Sequence, residues 1–534
     1  MKSFVIFSIV LVGMTAVLAD RPKSETVIST VKTLRPRYRE IQDFVIHTLS
    51  DARLSSSEKL NVFHEDVLVV KETFVLDAIK KENKLLYQIN NQPASVNSGC
   101  LDFVRSLADS VMNLAGTAYS GCISDANTAL TAEISKFYAA MQKDESDYLG
   151  IGLLNVFKDE NIFYNPDSIL SKLSSKSGEL EQYPTALYDE VNAWVSQLGV
   201  TMDNLERSYI TCMTDGEQRL KIGMELAHDN MMATCKAVEV PSAPESLPGQ
   251  ISPEQSIPED FKQYQQNYPV ASIPQAPVFR GTPMFPRAIF ICLAALAATT
   301  VYGQREASLA VIETMKSLQP LYKDLQDHVV NQLTGVKLKG SELISLLHED
   351  VVETKEKFVL AAVDEEGQVL DIISAQPETV NPACLAFVRS SADLNVNLAG
   401  ISYTNCIKQV DESFNETLYS FYGSLQDGES LLTVARLFDM FEGENIFHDP
   451  ESLIEKLNAR REELSRDPVD FDDELAEHVE GFGEDLEALK ERYEECLDEG
   501  VGLLNMALNM VRTQIVQICL GQLEPTAEEP NEDD

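Results

Sequence analysis

The 534-residue chain is too long for one ordinary domain, and its 44% hydrophobic content is enough for packed cores, which excludes wholesale disorder. Asp and Glu number 85 against 43 Lys and Arg, a net charge of −42 that repels phosphate backbones and anionic headgroups, so nucleic acid is excluded as a partner. The charge is uneven, −10 over residues 1–303 and −32 over 304–534.

In chain order, "MKSFVIFSIVLVGMTAVLA" (1–19) carries Lys2, an apolar run and small residues before Asp20. That pattern predicts a secretory signal peptide, and secretion permits disulfides. The first unit, 20–236, reads as helices. Phe63, Val67, Val70 and Phe74 fall at i, i+4, i+7 and i+11. The runs 39–49 and 85–89 read similarly. Asn97 offers an N-cap for a long helix reaching about Gln142, with bends expected at Gly116 and Gly121. "ENIFYNPDS" turns the chain into a helix beginning at Asp167, and Pro184 is expected to break that helix and start another ending near Cys235. Residues 237–283 are rich in Pro, Gln and Ser and read as a disordered linker.

A second start-type segment follows. "MFPRAIFICLAALAATTVYGQ" begins at Met284, and 284–303 reads as an internal signal-peptide-like segment. Its uncharged stretch 288–304 is a marginal membrane span, and no stable span is expected. A second helical unit, 304–522, repeats the first, and 523–534 is an acidic tail. "HEDV" at His64 returns at His348, "NLAG" at Asn113 returns at Asn397, and "ENIF" at Glu160 returns at Glu444. Pro184 returns at Pro468, and Pro382 follows the second cap, Asn381. The offset is 284 residues throughout. Two copies of one secreted unit are joined, each of five or six expected helices. The two are expected to fold independently.

Eight cysteines keep the same register: Cys100, Cys122, Cys212 and Cys235, then Cys384, Cys406, Cys496 and Cys519. Along one continuous helix, Cys100 and Cys122 would lie ~33 Å apart, too far to bond. Gaps of 22 and 23 residues put each pair on one helix face, so two rungs can staple two neighbouring helices. Antiparallel packing, favoured because 122–143 and 185–212 are comparable in length and the turn-rich 144–184 can fold between them, joins Cys100 to Cys235 and Cys122 to Cys212, then Cys384 to Cys519 and Cys406 to Cys496. Parallel packing would exchange the partners within each unit, and a break at Gly116 or Gly121 would allow local pairs. The fold class is therefore all-α, two tandem disulfide-stapled helical bundles with a Pro-rich linker between them.

Consecutive helical residues diverge by about 100°, so His64-Glu65-Asp66 and His348-Glu349-Asp350 cannot converge on one metal ion and read as a polar helix face. No metal, catalytic or cofactor motif accompanies them. The stretch 451–499, with 19 acids and 6 bases, reads as a solvated helix face. Asn415-Glu416-Thr417 is a glycosylation acceptor sequence.

The four cysteines per unit, "N-x-x-C-L-x-F-V-R", "NLAG-x-x-Y-x-x-C", "FY" before Gln142 and Gln426, and "ENIF" together resemble the TsetseEP domain of insect secreted proteins. The likeness covers about residues 24–236 and 306–520. It implies a secreted insect protein, often of gut or haemolymph, with no established enzymatic activity, some members being linked to responses to microbes. The family's long Glu-Pro repeats are represented here only by Glu524-Pro525 and Glu529-Pro530. The expected function is a secreted, non-enzymatic binding or barrier protein without a cofactor, and its alternative is an extracellular carrier of an apolar ligand. The partner would be an extracellular protein, a glycan or that ligand, and the sequence leaves the oligomeric state open.

Overall fold

The computed structural model describes residues 2–149, 152–241, 287–433 and 437–521. Most of the expected linker, the acidic tail, and the side chains of both signal-like segments lie outside the described residues. No strand occurs among the described residues, and the fold is all-α. Copy one contains α1 (Lys2–Asn90), α2 (Ser98–Leu149) and α3 (Pro166–Thr234). Copy two contains α4 (Arg287–Ser374), α5 (Pro382–Thr433) and α6 (Pro450–Gln514). Short 3-10 turns at Leu154–Phe157 and Asp439–Phe441 precede α3 and α6.

Local chemistry sets the helix starts. Asn97 Oδ1 accepts from Cys100 N at 3.2 Å, and Asn381 Oδ1 accepts from Ala383 N at 2.9 Å. Each satisfies a backbone donor that the first turn leaves unpaired. Pro166 and Pro450 open α3 and α6, where a missing N–H costs nothing.

Three long helices per copy replace the five or six expected. α3 runs unbroken through Pro184, and α6 runs unbroken through Pro468. A proline inside a helix costs about 3 kcal/mol. Packing outweighs that cost, because Leu173, Leu180, Leu187, Val191, Leu198 and Met202 are all buried on one face. Their sevens and fours form a heptad stripe that a break would misalign. Gly116 and Gly121 likewise lie within a continuous α2.

Within copy one, α1 and α3 run the same way. Lys23 meets Asp167 at 2.5 Å near one end, and Gln88 meets Val240 near the other. α2 runs antiparallel to both. Cys100 pairs with Cys235 and Cys122 with Cys212, with Cα atoms 5.5 and 5.7 Å apart. Copy two pairs Cys384 with Cys519 and Cys406 with Cys496, at 5.6 and 5.8 Å. The outer bonds close 135 residues, worth ~5 kcal/mol in the chain-entropy relation and less in practice. Replacing Cys100 and Cys235 together with serine should therefore lower unfolding free energy by about 2–4 kcal/mol in urea titration. An unchanged midpoint would show that the rung carries no load.

The copies do not have separate cores. Their buried apolar residues form one continuous cluster. α1 lies antiparallel along α4: Lys32 meets Glu356, Ser50 meets Thr334, and Lys316 meets Glu72. Independent folding was expected because a repeat with its own signal reads as a self-sufficient unit. The linker expectation also shifts at its first residues. Gln88 and Gln92 each donate to and accept from the backbone of Val240 and Val238, tying 238–240 to the end of α1.

Candidate functional site

Two motifs that the copies share, "ENIF" and "NLAG", meet at the seam between them. "ENIF" of each copy forms a turn in which the Asn161 or Asn445 carboxamide oxygen accepts from Phe163 N or Phe447 N, both at 2.9 Å. The same side chains reach across the seam. Asn161 Nδ2 donates to Asn397 O at 2.8 Å, and Asn445 Nδ2 donates to Asn113 O at 2.7 Å. So "ENIF" of one copy docks on "NLAG" of the other, in both directions. A glycine in "NLAG" makes room: a Cβ on Gly116 would stand 2.0 Å from Asn445 Oδ1, and one on Gly400 would stand 2.2 Å from Asn161 Oδ1. The phenylalanines follow. Phe447 packs on Tyr119, which packs on Phe74, and Phe163 packs on Tyr403, which packs on Phe358, with ring centroids 6.0–6.2 Å apart.

Polar layers mark the middle of the α1–α4 contact. Ser57 Oγ donates to Asp327 at 2.8 Å, Thr334 Oγ1 to Ser50 Oγ at 2.7 Å, and Ser341 Oγ to Asp43 at 2.8 Å. Residues 43, 50 and 57 are one heptad apart, as are 327, 334 and 341. Polar groups at a helix seam disfavour slipped registers, because a slip strands them against apolar neighbours.

Beside these layers lies a buried four-charge cluster. Arg53 contacts Glu145 at 3.2 Å and Glu429 at 2.5 Å, and Lys337 contacts Glu145 at 2.7 Å. The Arg53 Nε–Glu429 Oε1 approach is an ion contact outside hydrogen-bond angles, while Nη2 donates to Glu429 Oε2 at 3.2 Å. All four side chains are buried. Burial alone would raise the Glu145 carboxyl, but Lys337 and Arg53 hold it below its ordinary value. Arg53 and Lys337 are equivalents at the 284 offset, as are Glu145 and Glu429.

Two lysines are buried without such partners. Lys71 Nζ sits 4.2 Å from the Phe441 ring centroid, and Lys355 Nζ sits 4.8 Å from that of Phe157. Neither amine has a hydrogen-bond partner among the described residues. Burial pushes both down to about 7. Each lies under an aromatic ring of the other copy, where the ring face offsets part of the charge burial.

The His-Glu-Asp stretches diverge as helical geometry requires, and no metal-holding cluster occurs among the described residues. They are not simply a polar face, however. His64 and His348 are buried, whereas Glu65 is exposed. His64 packs against Phe438, and His348 lies between Tyr38 and Phe414. Burial lowers His64 to about 3; burial, with the Arg35 charge, lowers His348 to about 4. The unfolded chain takes up these protons near pH 6.5, so this contribution is full above 6.5 and is lost as pH falls toward 4. Asp144, pushed up to about 6 by burial and then by Glu190, works the other way between its ordinary value and 6. H64L should therefore remove about 2 kcal/mol of the stability lost between pH 7 and 5. Urea midpoints at the two pH values check this, and an unchanged difference would contradict it.

Lys81, Asp77, Glu217 and Tyr119 form a part-buried polar group in copy one. Copy two has Glu365, Ala361 and Val501 where copy one has Lys81, Asp77 and Glu217, so the group is not part of the shared design. Asn415 lies half-buried within α5, and its Nδ2 donates to Asp411 O at 2.7 Å. An open groove of about 390 Å³ near α3 is lined by residues including Val156, Lys158, Asp159, Lys172 and Glu179. Among the described residues no helix is long and apolar enough to cross a membrane.

Arg53, Glu145, Lys71 and their equivalents went unnoticed in the sequence. Lys71 did leave a signal. It stands four residues after Val67 and three before Phe74, on the apolar face, and recurs as Lys355. No protein-family model, no curated protein and no solved structure matches the chain.

Proposed function

We propose that this is a secreted, non-enzymatic protein acting through its outer surface as an extracellular binding or barrier protein. The TsetseEP-like residues support a setting in gut or haemolymph and a role in responses to microbes. Four disulfides fit an oxidising, extracellular compartment. One observation carries the surface reading: large aromatic side chains are packed into the interior, and the groove described above is open to solvent rather than enclosed. Tyr119, Phe163, Tyr403, Phe438 and Phe447 are fully buried. A carrier would instead need an apolar cavity of several hundred Å³. The outer face of α6 is acidic, exposing Asp473, Glu474, Glu477, Glu480 and Glu484, while Phe471, Leu475 and Phe482 are buried.

The test is cosedimentation of the purified secreted protein with intact bacteria, peptidoglycan and chitin, alongside organic extraction of the protein. Saturable binding to at least one surface is expected. A stoichiometric apolar molecule in the extract, with no surface binding, would replace this reading with the carrier.

A further inference from the structure

The seam contacts come in reciprocal pairs. Lys32 meets Glu356, and their equivalents Lys316 and Glu72 also meet, both at 2.5 Å. Ser57–Asp327 is matched by Ser341–Asp43, Asn161–Asn397 by Asn445–Asn113, and Lys71–Phe441 by Lys355–Phe157. On the axis, residues meet their own equivalents. Thr334 bonds Ser50, and Gln142 and Gln426 each donate to the other's backbone carbonyl at 3.4 Å. If residue i contacts j and the equivalent of j contacts the equivalent of i, one surface patch is facing itself across a two-fold axis. That is the pattern of two subunits in a symmetric dimer. An arbitrary contact between tandem domains has no reason to obey it.

We propose that the seam is a docking surface for a second copy of the same unit made as a separate chain, so the pair holds together whether or not the linker is intact. Two further facts support this occupant. Each copy carries its own signal-like start, at 1–19 and 284–303, which is what separately made chains require. Each copy also carries both halves of every reciprocal contact: a lysine and a glutamate, a serine and an aspartate, an "ENIF" turn and an "NLAG" glycine. Without its partner, copy one would expose Phe163 and leave Glu145 without Lys337. The unit is incomplete as a monomer.

The experiment uses the full chain with a protease site inserted between residues 255 and 265, cut after folding and sized by light scattering at about 1 µM, where only submicromolar pairs persist. The halves should remain a 1:1 complex of unchanged mass and separate only in denaturant. Elution as two folded helical monomers would overturn the proposal. A second protein, carrying G116L and G400L, fills both "NLAG" gaps. After cutting, its halves should dissociate at least 100-fold more readily, while circular dichroism shows each disulfide-held half still helical. If it does not fold, S50E with T334E, which opposes two like charges on the axis, makes the same measurement. Halves of the tested variant that still travel together would place the docking surface elsewhere.

Discussion

Replacing Glu145 with alanine should lower the unfolding free energy by about 3–5 kcal/mol, a large fraction of a typical domain's stability. Glu145 is the carboxylate that Arg53 and Lys337 share, and all three are buried. Removing it leaves two cations with Glu429 alone, and a buried charge without its counter-ion is far costlier than a missing surface pair. Replacing all four charged groups together with leucine or methionine should be neutral or stabilising, because desolvation of the ions disappears with the ions. Urea titration of both proteins gives the comparison. A loss below about 1 kcal/mol for E145A would mean the cluster is open to water. Glu145 also makes stability depend on pH. Because Glu145 is held below its ordinary value, its contribution is present above the unfolded carboxylate pKa and disappears as pH falls through the folded one.

The second large effect has the opposite sign. Lys71→Met and Lys355→Met should each stabilise the protein at pH 7 by about 3 kcal/mol. A lysine lowered from its ordinary value to about 7 corresponds to roughly 5 kcal/mol of charge burial, and losing the aromatic contact returns about 2 of that. Between pH 7 and 10.5 the unfolded chain holds the proton and the native chain does not, so parent stability rises with pH across that window. The double variant should show a much flatter profile from pH 7 to 9.5. Destabilisation by K71M at pH 7 would mean that the amine has a partner worth more than its burial costs.

Much of the architecture was legible where one physical rule acts locally. Cysteine gaps near whole helical turns, too long for a bond along one helix, pointed to two rungs between neighbouring helices, and the comparable lengths of 122–143 and 185–212 favoured the antiparallel pairing. Asn97 and Asn381 marked helix starts because a carboxamide oxygen satisfies a free N–H in the first turn. Pro184 misled for a related reason. Its local cost is real, but the stripe from Leu173 to Met202 is a sum over six buried side chains, and that sum outweighs one proline. The seam was illegible for a different reason. "NLAG" and "ENIF" stood out as repeated motifs, yet a repeated pair cannot reveal whether it closes within a copy or between copies. Both arrangements need the same residues. The buried charges were hidden because Arg53 and Glu145 lie 92 residues apart, and Glu429 lies 376 residues from Arg53. Each alone resembles an ordinary polar residue on a helix.

Zero-length carbodiimide cross-linking of the unmodified, monomeric full-length protein, read by peptide mass spectrometry, tests the two-fold seam most directly. It joins a lysine to a carboxylate only where they touch, and both reciprocal ion pairs are accessible, with side chains 32–39% exposed. Lys32–Glu356 and Lys316–Glu72 should both appear, together with the within-copy link Lys23–Asp167. Recovery of Lys23–Asp167 with neither cross-copy link would contradict the shared core and return the chain to two independent bundles.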